Sequence, residues 1–279
     1  LSTLFDDVSD IRFQGIVWPE SYSNATIKNF IDPRKNVDND VKDGQAFITI
    51  NETFVTAKTT ALGINSSEVT LISNEPVDEA NWKGMCVATS PDMISAYVAA
   101  IRALRIEDGI SVSDYVSTNA PNDQFGGVHM HSLPFFNTPI RFIGKQRNGS
   151  GYSGAEQLEL EQSVVSVIGN NRSNTGTVLG QVVTTWQKDP AGNDDETWKY
   201  LNWRDTHGAI REYMSLNNRK RWAQSRLSTG GAVPGYDIAT EAAVRAYQIE
   251  LFGDLVDDLL AVGGSDQRKY FEEHLQVTL

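Results

Sequence analysis

The stretch QAFITINETFVTAKTTALGINSSEVTLIS, Gln45 to Ser73, decides the fold class. Its two ends, QAFITI (Gln45 to Ile50) and EVTLIS (Glu68 to Ser73), are short, apolar and without strict alternation. Strands of that kind are buried on both faces, as in a parallel sheet covered by helices. Between them ETFVTAKTTAL reads as a helix, with Asn51 as its cap and Gly63 as its end. A strand, a helix and a strand within 29 residues are the unit from which such sheets are built.

The same alternation continues on both sides. Upstream, IRFQGIVWP (Ile11 to Pro19) reads as a strand and SNATIKNFID as a helix, capped by Ser23 and stopped near Pro33. Downstream, the short apolar run GMCVAT precedes SPDMISAYVAAIRALRI, a helix with Ser90 as cap and Pro91 at the first helical position. Residues 1–106 are therefore expected to form an α/β half with a mixed, partly parallel sheet flanked by helices.

Residues 107–154 read as a loop-rich connection. APNDQFGG and GKQRNGSGYSGAEQ are loops, with VHMHSLPFF as a short extended piece between them. Residues 155–279 read as an α+β half, a β-hairpin followed by long helices. LELEQSVVSVIGNN is expected to be a helix, and TVLGQVVTTWQ (Thr177 to Gln187) and TWKYLNW (Thr197 to Trp203) are expected to be strands. Asp189-Pro190-Ala191-Gly192 between them suits a type I turn. Asp205 or Thr206 then caps a helix through IREYMSLNNRKRW. In TEAAVRAYQIELFGDLVDDLLAVGG, Val244, Tyr247, Leu251, Leu255 and Leu259 form one helical stripe, widened by Phe252, Val256 and Leu260, with Gly263 and Gly264 as its end. KYFEEHLQVTL begins a further element, and HLQVTL reads as a strand. The chain starts LSTLFDD, without methionine, and both ends are expected to be cut from a longer polypeptide. The halves are expected to share one compact domain, 1–279.

Composition narrows the function classes. The 279 residues carry a formal net charge of -12. A chain of that charge is repelled by phosphates, so no nucleic-acid partner is expected. The one basic run, NNRKRW (Asn217 to Trp222), reads as a solvated helix face or a protein contact. No apolar run approaches the roughly 18 residues of a membrane span, so no membrane insertion is expected, and no stretch reads as a signal peptide. The lone cysteine, Cys86, forms no intrachain disulfide and reads as a buried structural thiol.

A dinucleotide site needs glycines after the first strand. The first two turns here, WPESYS and INETF, have none and place Glu20 and Glu52 where a phosphate would sit. GKQRNGSG lacks the Gly-Lys-Ser/Thr ending of a phosphate-binding loop. His129 and His131 share one face of an extended segment, but zinc needs a third protein ligand, and neither His207 nor His274 completes a motif. In GSGYSG, Ser153 lacks both the preceding strand and the second glycine of a nucleophile elbow. Asp194, Asp195 and Glu196 cluster at an exposed hairpin tip, which offers no pocket to split carboxylate pKa values. They read as solvated or as a partner surface. Asp254, Asp257 and Asp258 oppose the dipole of their helix end and allow the same two readings.

The stretch GTVLGQVVTTWQKDPAGNDDETWKYLNWRDTHGAIREYMSLNNRKRW resembles part of the contractile tail sheath proteins of myoviruses, the Mu-type sheath family. Val182 to Gln187 match a strand end with TTYQ-like residues, with Trp186 in place of the tyrosine. Ala191-Gly192 match an AG turn, and WKYLNWRDTHGAIREYM matches the following strand and helix start. YDIATEAAVRAYQIELFGDLVD and DGQAFITI…TALGINSSEVTLIS resemble further segments of that family in the same order. The acidic residues from Asp38 to Asp43 and from Asp194 to Glu196 depart from the pattern, as does the lack of the family's two chain extensions; a large phage of the phiKZ type is one source suggested.

The resemblance implies a structural subunit, without cofactor or catalysis, that polymerises with copies of itself around an inner tail tube, between baseplate and tail terminator. It implies contraction that drives the tube through the host envelope, residence in the virion tail, and assembly in the host cytoplasm. In that family, terminal extensions add strands to neighbouring subunits. A protease-resistant core lacking them is expected to be monomeric. Arg219, Lys220 and Arg221 are candidates to meet the acidic tip of another copy. Two other classes stay open: an α/β enzyme with a loop-built site near Asp123, His129 and His131, and a binding module using the aromatic second half.

Overall fold

The computed structural model describes residues 13, 15–19, 21–35, 44–50, 52–73, 90–108, 138–140, 152–170, 177–230, 238–257 and 264–277. The chain divides into two compact units. Unit 1 takes Leu1–Glu107 and Ser132–Arg204, and unit 2 takes Asp108–His131 and Asp205–Leu279.

Unit 1 is built on a six-stranded mixed sheet. Its strands are β1 (Gly15–Val17), β2 (Gln45–Ile50), β3 (Val69–Ser73), β4 (Thr138–Ile140), β5 (Ser166–Asn170) and β6 (Thr177–Leu179), in the order β1-β2-β3-β5-β6-β4. The first four in that order are parallel, with Phe47 opposite Thr70 and Ile72 opposite Ser166. β6 runs antiparallel to both of its neighbours. The helices are α1 (Ala25–Ile31), α2 (Phe54–Ile64), α3 (Pro91–Asp108), α4 (Gly154–Gln162) and the first residues of α5 (Leu201–Trp222). The alternation of side chains along each strand sends two apolar sets to opposite faces. Ala46, Ile48, Val69, Leu71 and Val167 pack with Ile27, Phe30 and Ile31 of α1, Ala57 and Ala61 of α2, and Leu160 of α4. Phe47, Ile72, Ile168 and Leu179 pack with Ile94 and Val98 of α3 and with Leu201. The polar position on this second face, Thr49, is closed by a hydrogen bond to Ser95 of α3 at 2.6 Å. This is the doubly covered α/β sheet that the Gln45–Ser73 stretch predicts.

Helix ends differ from the expected caps by one or two residues. Asn24, not Ser23, caps α1, its side chain accepting the Thr26 N–H at 2.9 Å, while the Ser23 hydroxyl pairs with Ser21. α1 stops at Ile31 and tightens into a 3₁₀ turn, Asp32–Lys35, around Pro33. Thr53 caps α2, and the expected cap Asn51 lies outside the described residues. α2 runs through Gly63 and ends at Asn65, whose φ of 43° is the left-handed conformation that asparagine tolerates.

Two larger expectations are corrected. LELEQSVVSVIGNN is not one helix. α4 starts earlier, at Gly154, on a capping box in which Ser153 accepts from the Glu156 N–H and Glu156 accepts from the Ser153 N–H. The β-branched run that follows is strand β5. The second correction concerns the hairpin. Of TVLGQVVTTWQ only Thr177–Leu179 is strand, and of TWKYLNW none is; isolated bridges Val183–Tyr200 and Lys188–Asp194 hold the two arms instead. Backbone bonds join the arms at a few points, from the N–H groups of Thr184, Leu201 and Asp195 to the carbonyls of Lys199, Val182 and Gln187, and hydroxyl groups add to them. Ser166 Oγ accepts from the Val183 N–H and donates to its carbonyl, Thr184 Oγ1 donates to the Trp198 carbonyl, and Thr185 Oγ1 donates to the Ser66 carbonyl. The helix then starts at Leu201, before the expected caps Asp205 and Thr206, because Leu201 and Arg204 are anchored in the core and start the first turn.

Unit 2 contains the rest of α5, a two-stranded parallel pair β7 (Arg226–Leu227) and β8 (Ile238–Ala239), α6 (Glu241–Asp257) and α7 (Gly264–His274). Of the expected stripe, Leu251, Phe252, Leu255 and Val256 are buried, Val244 and Tyr247 half-buried; Leu259 and Leu260 lie outside the described residues. Phe252, Leu255 and Val256 pack with Ile210, Tyr213 and Met214 of α5 and Phe271 of α7. α7 lies antiparallel to α6, with Phe271 stacked on Phe252 at 4.1 Å and the Arg268 guanidinium so close to Gly253 that a Cβ there would meet Nη2 at 2.8 Å. Gly264 therefore opens a helix instead of closing one, and the residues of HLQVTL described past His274 form no strand.

Candidate functional site

The acidic tip is a three-residue hairpin loop. The Gly192 N–H donates to the Asp189 carbonyl at 2.9 Å and the Asp189 N–H to the Asn193 carbonyl at 3.0 Å. Pro190 and Ala191 make the type I turn, and Gly192, at φ 88°, takes the left-handed position that lets the arms rejoin in register. Asn65 ties this ribbon to α2. Its Oδ1 accepts the N–H groups of Gln187 and Lys188 at 2.8 and 3.0 Å, and its Nδ2 donates to the Lys188 carbonyl.

The three carboxylates that the sequence groups at this tip have different work. Asp195 is a bracket. It accepts the Trp186 indole N–H at 3.0 Å, the Thr197 N–H at 2.8 Å and the Thr197 hydroxyl. The Thr197 bonds, with that of Trp186, hold its carboxyl below the usual aspartate range. Asp189 is lowered likewise, by the side chain and backbone of Asn193. Glu196 pairs with Lys199 at 2.7 Å, and that lysine's side chain is only 12% exposed. Asp194, 93% exposed, pairs with Lys188 at 2.8 Å. It is the carboxylate that projects furthest into solvent.

The aromatic residues grade from inside to outside. Trp186, Trp198 and Tyr200 are half-buried, and Trp203 is exposed, its ring edge-on to Tyr200 at 4.5 Å. Arg219, Lys220 and Arg221 occupy the last turn of α5, where positive charge complements the helix dipole, and all three are exposed. Arg221 lies over the Trp222 ring at 4.3 Å. Asp254 is exposed on α6, Asp257 is its last residue, and Asp258 lies outside the described residues. Asp123, His129, His131 and Cys86 also lie outside them.

One polar cluster escapes sequence reading. In unit 1, Glu68 at the start of β3 and Arg204 in α5 form a buried ion pair at 3.6 Å. Ser66 hydrogen-bonds the same carboxylate, and beside it the buried Tyr22 hydroxyl donates to Asp32. Burial, with the Asp32 bond second, pushes the Tyr22 hydroxyl well above its ordinary pKa, so it stays a neutral donor. Glu161, at the end of α4, is raised by burial, yet accepts the Gln181 N–H at 2.9 Å. The close passage of the chain past it requires Gly180, where a Cβ would stand 2.5 Å from Glu161 Oε1 and 2.9 Å from the Val167 carbonyl. These groups lock chain segments together. Among the described residues no group of three or more His, Cys, Asp or Glu could hold a metal, and no helix is long and apolar enough to cross a membrane.

The sequence matches no protein-family model and no curated protein. The fold does have counterparts among solved structures. One is a sheath tail protein from Desulfitobacterium hafniense, at TM-score 0.53 and 11% identity over 91% of this chain and 48% of that one. Another is a sheath tail protein from Listeria innocua, at TM-score 0.51 and 11% identity over the same shares. The chain thus has a sheath-like fold and spans about half the length of the solved structures it matches.

Proposed function

We propose that this chain is the core of a structural subunit of a contractile tail sheath, of the Mu-type sheath family. The observation that carries the reading is the likeness to sheath tail proteins along 91% of the chain. The hairpin and helix segments that resemble that family in sequence support it independently. The chain's partners in this reading are further copies of itself, the inner tail tube, the baseplate and the tail terminator. It resides in the virion tail after assembly in the host cytoplasm, and no residue is assigned a catalytic role.

Such a subunit works by position instead of chemistry. Assembly stores free energy behind a kinetic barrier, and contraction releases it. Moving a two-state population from 1:99 to 99:1 takes about 5.5 kcal/mol in all. Coupled copies reach that with a small bias each, because one copy's move changes the contacts of the next.

Contacts between copies are proposed at the exposed charges. Asp194 projects from the hairpin tip, with Asp195 and Glu196 behind it. Arg219, Lys220 and Arg221 form the basic partner, and exposed Asp254, with Asp257 and Asp258 near it in sequence, is proposed as a second acidic contact. Charge reversal tests the first pair in polymers of the full-length polypeptide. Asp194→Lys and Arg221→Glu should each reduce polymer yield, and the double variant should recover it. A double variant that assembles no better than the singles removes this contact.

A further inference from the structure

Among the described residues, Val164 is the one β-branched residue with a positive φ. It stands at 58°, in the turn from α4 into β5, where its Cβ crowds the following carbonyl oxygen. The turn closes α4 as a Schellman motif. The Val164 N–H donates to the Glu161 carbonyl at 3.2 Å and the Val165 N–H to the Leu160 carbonyl at 2.9 Å. The left-handed position of that motif is usually glycine, which is not strained there. Here valine takes it with its side chain 2% exposed, in the same core cluster as Leu160, Val165 and Val183.

A second contact holds the same turn from the side. Glu161 is bonded at both ends. Its carbonyl accepts from Val164, and its carboxylate accepts the Gln181 N–H at 2.9 Å. Gly180 lets the chain pass that carboxylate, and its own N–H donates to the Val167 carbonyl of β5 at 2.8 Å. At Gln181 the chain has left β6 for the hairpin ribbon, and two residues on Ser166 Oγ bonds Val183. Relaxation of Val164 to a negative φ breaks the two Schellman bonds and loosens the last turn of α4. That turn carries Glu161, so it cannot loosen freely while Gln181 is held.

We infer that the α4–β5 turn is a loaded joint: the clamp from Glu161 to Gln181 keeps Val164 in its strained conformation, and opening the clamp lets the turn relax and frees the root of the ribbon. Strain persists where the surroundings over-determine it, and such positions gather at switch regions. A packed joint of this kind passes between discrete arrangements instead of bending continuously. All of its residues belong to unit 1 of a single copy, so the device stands or falls apart from the sheath reading.

The test is hydrogen exchange in the full-length polypeptide before assembly. Glu161→Ala should raise the exchange rate of the Val165 amide at least tenfold. Adding Val164→Gly to that variant should leave the rate at least fivefold slower than adding Val164→Ala. Both remove the buried methyl groups, but only glycine is at ease at this φ. A Val165 rate unchanged by Glu161→Ala, or a rate with glycine equal to or faster than with alanine, overturns the inference. Where the Glu161→Ala proteins do not fold, the single substitutions decide. Val164→Gly should melt at least about 2 °C above Val164→Ala, the reverse of the ordinary order, and the ordinary order overturns the inference.

Discussion

Phe47→Ala is expected to destabilise unit 1 by about 4 kcal/mol, the usual cost of truncating a fully buried phenylalanine. Phe47 is fully buried in the second strand of the sheet, among Ile94, Val98, Ile168, Leu179 and Leu201. Its ring also lies against β1, 3.5 Å from where a Cβ on Gly15 would stand. These neighbours come from α3, β5, β6 and α5, which leaves little freedom to collapse into the space. The melting temperature should fall on the order of 10 °C, measured by circular dichroism. Ile48→Val, on the opposite face, should cost only about 1 kcal/mol. A Phe47→Ala protein that melts within 2 °C of wild type would mean that this residue does not lie between sheet and helices.

Arg204→Met is expected to cost about 3 kcal/mol, through what it leaves behind more than through what it removes. The Glu68 carboxylate is buried with Arg204 as its ion-pair partner and Ser66 as a hydrogen-bond partner. Methionine fills much of the arginine's volume but supplies no charge, so a buried carboxylate is left without its counter-ion. Replacing both groups, as Glu68→Gln with Arg204→Met, should restore most of the loss, because neither charge then remains to be stranded. Chemical denaturation of the four proteins of this cycle gives the coupling directly. A double variant as unstable as the sum of the singles would show that the two side chains do not act as a pair.

These two residues also mark what the sequence reveals. Phe47 lies in QAFITI, and the lack of alternation in that run already places it in a doubly covered strand. The three successive strand–helix units follow from the same signal, and the structure reproduces them with caps displaced by one or two residues. Such displacements are local: the expected caps Ser23 and Asn51 lie within two residues of Asn24 and Thr53 and carry equally suitable side chains. The run after α4 was open to a different reading because apolar residues dense enough for a buried strand also satisfy a helical stripe. Ser153 and Glu156 were the available signal, a capping box that starts the helix early enough to leave VVSVI for the strand.

The hairpin arms read as strands because their residues suit strands, but they pair only at isolated bridges, and the hydroxyls of Ser166 and Thr185 tie the first arm to β5 and to Ser66. That arrangement depends on segments distant in sequence. So does the Glu68–Arg204 pair, in which neither residue carries a local signature. At the tip, the turn and its acidic character are legible in Asp-Pro-Ala-Gly and the carboxylates that follow. The division of labour among Asp194, Asp195 and Glu196 is not, since it is set by where Trp186, Lys188 and Lys199 fall once the ribbon closes.

Electron microscopy of the full-length polypeptide, expressed alone and concentrated, tests the sheath reading most directly. Hollow, regular polymers of uniform width are the predicted result. Soluble globular particles at every concentration would contradict it.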